Sequence, residues 1–116
     1  MSATTRLPLS LLAFALAFAP VLVQAATGRC VLQVKHKTYL NQRCVIGIND
    51  DKGSFTIGVS DAHRSKYFAY VNMESDGAHG FWNATPASNH ADAELGILKR
   101  KGACWENETA RVCAYK

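Results

Sequence analysis

Four cysteines, Cys30, Cys44, Cys104 and Cys113, all lie between residues 26 and 116 of this 116-residue chain. An even number of cysteines in so short a stretch reads as two disulfides, provided the chain leaves the reducing cytoplasm. The N-terminus supplies that condition. Arg6 is the only charged residue before Arg29, and Leu7 to Val23 is almost wholly apolar. Pro20 breaks the apolar run, and Val23-Gln24-Ala25 ends it with small or β-branched side chains where a signal peptidase reads. A basic residue, an apolar stretch and a small-residue exit make a secretory signal. The alternative, a membrane anchor, is poorly served by an apolar run of roughly 17 residues interrupted by proline. The sequence therefore predicts a leader over 1–25 and one exported domain over 26–116, without a membrane span once the leader is removed. Its compartment is the periplasm or the exterior. The Ala- and Leu-rich leader has bacterial character. Asn83-Ala84-Thr85 and Asn107-Glu108-Thr109 would be glycan acceptors in a eukaryotic source.

A domain of this size builds only a modest core. Its pattern is short alternating runs separated by turn residues, with little helical periodicity. Cys30, Leu32 and Val34 alternate with Val31, Gln33 and Lys35, and Leu40, Cys44, Ile46 and Ile48 follow a polar tip. A hairpin turning at Lys37 puts Cys30 opposite Cys44 and Val34 opposite Leu40, with every apolar residue on one face. Asp50-Asp51-Lys52-Gly53 is a second turn signal. Phe55, Ile57 and Val59 then share a face, and Ser60 to Lys66 reads as a polar loop or short helical turn. Tyr67 to Met73 is apolar on both faces, as a central strand would be, and Glu74-Ser75-Asp76-Gly77 turns it back into Ala78 to Asn83. After an irregular connection, Leu95 to Leu98 begins a strand that Cys104-Trp105 resumes, and the last hairpin turns within Asn107 to Ala110. Pairing Glu106 with Arg111 sets Cys104 opposite Cys113. Two local staples, Cys30–Cys44 and Cys104–Cys113, fit this reading, although pairings that join the chain ends stay open. The expected fold is all-β: a small antiparallel sandwich or partly closed barrel of about seven strands.

The chemistry is sparse. Oxidised cysteines are poor nucleophiles, and no Gly-x-Ser-x-Gly elbow exists. Ser75, Asp76 and His79 fall close together, but a polar hairpin tip accounts for them. His63, His79, His90 and Asp92 lack the spacing of a zinc or calcium motif. No enzyme activity, cofactor or metal is expected. Without Arg6 the formal charge falls from +4 to +3, too mild for a nucleic-acid footprint. Two basic runs, Lys35-His36-Lys37 and Lys99-Arg100-Lys101, read as solvated tips or an anion-facing edge. Of the aromatics, Trp82 and Trp105 are the candidate partner anchors.

The closing stretch Leu95 to Asn107, with its Gly-Ala-Cys-Trp strand, resembles a class of small exported proteobacterial proteins. These share an early cysteine hairpin and a Gly-Phe/Tyr-Trp-Asn strand. In size, compartment and disulfides the chain is also similar to periplasmic lysozyme inhibitors. That resemblance implies a small β-barrel whose serine-bearing loop and nearby basic residue plug an enzyme cleft, with Ser75 and Lys101 in those places. The longer Ser/Gly-rich loop of that family is missing here. The expected function is a non-enzymatic envelope binding protein, an inhibitor or immunity protein against a cell-wall hydrolase such as lysozyme being its sharpest form. Ser75, Asp76, His79, Trp82, Lys101 and Trp105 are the partner-binding candidates. A small enzyme or metal carrier using loop histidines, and a self-associating structural protein, are the alternatives.

Overall fold

Eight antiparallel strands, each bonded to the next in sequence, close on themselves when β8 pairs with β1. The computed structural model describes residues 25–59 and 64–116; residues 1–24, nearly all of the expected leader, and residues 60–63 lie outside the described residues. The strands are β1 (Ala25–Val34), β2 (Lys37–Ile48), β3 (Phe55–Val59), β4 (Arg64–Glu74), β5 (Gly77–Trp82), β6 (Ala93–Lys101), β7 (Cys104–Glu106) and β8 (Ala110–Tyr115). The fold is an up-and-down barrel, closed where the sequence suggested a sandwich or a partly closed barrel. The eighth strand comes from the turn at Gly102, whose φ of 64° reverses the chain. Leu95 to Trp105 is therefore a hairpin, with Arg100 opposite Trp105, and not one interrupted strand.

Period-two alternation fills the barrel. Leu32, Ile46, Ile57, Val71 and Val112 point inward and are fully buried. The outward positions Arg29, Asn41, Arg43, Glu94 and Lys99 are exposed. An apolar inside and a mostly polar outside are the reverse of a membrane-spanning barrel, and no helix among the described residues is long and apolar enough to cross a membrane.

Both disulfides are the local ones, Cys30–Cys44 and Cys104–Cys113. Cys104 pairs with Cys113 and Glu106 with Arg111, as expected. The first hairpin differs from its expected register. Its turn is Lys35-His36, both with positive φ, as a tight two-residue turn requires. Val34 then faces Lys37, Leu32 faces Leu40, and Cys30 faces Gln42. The register slips by one residue after Leu32. That bulge lets both Tyr39 and Leu40 meet the core. The Cys30–Cys44 bridge consequently runs diagonally, with its Cα atoms 5.9 Å apart. The segment Arg64–Lys66, expected in a loop, belongs to β4.

The two staples sit on opposite faces of the wall. Cys30 and Cys44 belong to the barrel core. Cys104 and Cys113 form a small outer cluster with Val31, beside the Tyr115 hydroxyl.

Candidate functional site

The two ends of the barrel are built differently. At one end lie the turns 35–36 and 107–109 and the connection 83–92; at the other lie the segments 49–54, 75–76 and 102–103. The first end is closed from within. Tyr39, Tyr67 and Trp82 cluster there, with Tyr39 and Trp82 ring centroids 4.6 Å apart. Asn83 seals it. Its side chain is fully buried, its Oδ1 accepts from the Phe68 amide at 2.7 Å, and its Nδ2 donates to the carbonyls of Lys66, Thr85 and Ser88.

The second end is open. Asp50 shapes its first segment by accepting from the amides of Lys52 and Ser54 at 2.8 and 3.0 Å; the hydrogen bond with the Ser54 side chain first, and then these amides, hold its carboxyl below the usual carboxylate range. Ser54, itself buried, accepts from the Met73 amide at 2.8 Å and ties this segment to β4. Between the turns the barrel opens into a cavity of about 380 Å³, lined by Ile46, Phe55, Met73 and Trp105 and edged by Lys52, Arg100 and Lys116.

Five of the six candidate residues gather at the open end. Ser75 and Asp76 form the exposed β4–β5 turn. Lys101 stands at the β6–β7 turn with its side chain 81% exposed, its ammonium 3.9 Å from Glu106. These turns are neighbours, because β5 and β6 pair from Ala78↔Leu98 onward. Trp105 is half-buried in the cavity wall. His79 points outward just below the Ser75 turn, its Nε2 2.7 Å from Asp76 and 4.0 Å from Glu74. Trp82 is the exception. It is 7% exposed at the closed end, an inward-facing core residue too covered to anchor a partner. Position 82 has the parity of Ala78 and Gly80, which also face in.

Among the described residues, the histidines do not converge. His79 is at the open end and His90 is in the 83–92 connection at the other, while His63 lies outside the described residues. Asp92 accompanies His90, beside an outer ledge where Tyr70 stacks on Phe81 at 5.0 Å. Neither sequon asparagine is free. Asn83 is consumed by the seal, and Asn107 donates to the carbonyls of Leu95 and Ile97 while its Oδ1 accepts from the Thr109 and Ala110 amides. Sequence patterning overlooked both as structural clamps, since a turn asparagine and a buried one read alike.

The His79–Asp76 pair has a pH signature. Its hydrogen bond raises the imidazole pKa above the ordinary histidine value and lowers that of Asp76. The raised histidine stabilises the fold fully below its unfolded pKa and loses this as pH rises through the folded value. The lowered aspartate stabilises above its unfolded pKa and loses this as pH falls through the folded value. The pair thus stabilises fully between the ordinary aspartate and ordinary histidine pKa values, and this is lost as pH falls through the lowered aspartate value or rises through the raised histidine value. An NMR titration of His79 should show a raised midpoint that falls back in Asp76→Asn; an unmoved midpoint would show that the pair is not formed in solution.

No protein-family model, curated protein or solved structure matches this chain.

Proposed function

We propose that this chain is an exported, non-enzymatic binding protein of the bacterial envelope whose open barrel end engages a cell-wall hydrolase. The carrying observation is the adjacency of two turns around one mouth, the first bearing Ser75 and the second Lys101. A serine loop beside a basic residue is what the resemblance to lysozyme inhibitors implies, and two disulfides in a small β-barrel are compatible with an oxidising compartment. The scaffold favours recognition on physical grounds as well. A closed, twice-stapled barrel presents its turns with little freedom left to lose on binding.

The alternatives draw less support. The loop-histidine reading needs a shared cleft, and His79 and His90 are at opposite ends. Self-association through a sheet edge needs free terminal strands, and β8 closes onto β1.

The test is inhibition of lysozyme on a cell-wall suspension. The purified oxidised protein is expected to slow lysis, and Ser75→Ala or Lys101→Ala to weaken that inhibition by roughly tenfold or more. Lys37→Ala, at the closed end, should leave it unchanged. Absence of inhibition across a panel of lysozymes, or inhibition indifferent to Ser75 and Lys101, would refute the hydrolase reading.

A further inference from the structure

The cavity at the open end has a chemistry that the turns around it do not use. Its floor is Ile46 and Phe55, 0% and 6% exposed, and Met73 and Trp105 wall it in. Three cationic side chains, Lys52, Arg100 and Lys116, line its edge, and no Asp or Glu side chain does so. Arg100 is the informative one. On β6 it follows Leu98, which is 2% exposed and inward-facing, by two residues, and it pairs with Trp105. It therefore continues the parity of Leu98 past the end of the buried column, and its side chain is exposed at the rim of the mouth. Its Nε donates to the Gly102 carbonyl at 3.1 Å. No carboxylate among the described residues is within ion-pairing distance of it. The exposed guanidinium thus stands at the edge of an apolar well that Lys52 and Lys116 also line.

We propose that this mouth binds a single-chain fatty-acid anion, its alkyl chain in the well and its carboxylate on Arg100, flanked by Lys52 and Lys116. The apolar floor selects against sugars and nucleotides, which would leave hydroxyls and phosphates facing Ile46 and Phe55 unpaired. The cations select against a neutral lipid, because a planar guanidinium binds a carboxylate through two parallel hydrogen bonds. A volume of about 380 Å³, near the lower end for small-molecule sites, suits one chain rather than two. The inference stands apart from the hydrolase reading: the ligand would touch Arg100 and Trp105, not Ser75 or Lys101.

The experiment titrates the oxidised protein with decanoate, below its micelle concentration, and with decan-1-ol, following heat and tryptophan emission. Decanoate should bind saturably, and decan-1-ol should bind at least roughly tenfold more weakly. Arg100→Gln should weaken decanoate by a similar factor and leave decan-1-ol unchanged. The emission change should vanish in Trp105→Phe while the heat persists, since Trp82 is buried at the far end. Ala114→Phe, which fills the well, should abolish binding of both ligands, with circular dichroism confirming that the variant is folded. No saturable decanoate binding, or equal binding of both ligands with Arg100→Gln inert, would overturn the proposal. Decanoate binding without lysozyme inhibition would refute only the hydrolase reading. Inhibition without decanoate binding would refute only this one.

Discussion

Replacing Asn83 with alanine is expected to destabilise the barrel by about 3–4 kcal/mol, lowering its melting temperature by roughly 15 °C. Asn83 is fully buried, and its amide is the shared partner of four backbone groups drawn from β4 and from the connection after β5. Truncation leaves the buried Phe68 amide without this acceptor and takes a donor from the Ser88 carbonyl, while the carbonyls of Lys66 and Thr85 keep the amides of Ala87 and Ser88; a buried polar group without a partner costs about 1–3 kcal/mol. Water can enter and recover part of this, so the sum stays below the full penalties. The change also frees the 83–92 connection, which the side chain holds against β4. Asn83→Asp separates shape from hydrogen bonding. It keeps the volume and the acceptor for Phe68, but it turns a carboxylate toward three carbonyl oxygens. At neutral pH it should be at least as damaging as alanine. Denaturant melts of both variants check this, and a loss under about 1 kcal/mol for Asn83→Ala would mean that the seal contributes little.

The second large effect concerns the staples, which should not be equivalent. Converting Cys30 and Cys44 together to alanine is expected to cost about 4 kcal/mol, against about 2.5 kcal/mol for Cys104 and Cys113. The loops they close differ modestly, with sequence separations of 14 and 9, so chain entropy alone makes the two costs similar. Location separates them. Cys30 and Cys44 are packed with Leu32, Leu40 and Ile46 inside the barrel, and removing their sulfurs leaves a hole in the core. The other bridge belongs to a three-residue cluster on the outer wall. Paired denaturant titrations give the order, and a larger loss for the outer bridge would contradict it.

The strand-rich class and the local staples were legible because both rest on short-range signals: alternation, turn residues and cysteine spacing. The final hairpin could be registered to the residue, since its turn is short and its partners lie close. The first hairpin could not. Its bulge at Tyr39 leaves no trace in an alternation that already reads cleanly from Leu40 to Ile48. Closure was illegible for another reason. The pairing of β1 with β8 joins the two ends of the domain, and no local pattern encodes a contact of that range. The geometry of the proposed site was legible only in part. Ser75 and Lys101 stood out as turn residues, but nothing in sequence places the two turns side by side. Arg100 shows a signal passed over. Within Lys99-Arg100-Lys101 it looks like one of three solvated charges, yet counting by two from Leu98 brings it, still exposed, to the rim of the cavity. Trp82 shows another signal passed over, since its parity with Ala78 on the strand Ala78 to Asn83 turns it inward.

Both proposals place binding at the open end of the barrel. Backbone amide shifts of the labelled protein, mapped while lysozyme and, separately, decanoate are added, test that most directly. Perturbations are expected to be confined to residues 49–54, 73–77, 100–105 and 114–116, with the 35–37, 83–92 and 107–109 segments unmoved. Perturbations centred on the closed end or on the Tyr70–Phe81 ledge, or no perturbation with either ligand, would contradict it.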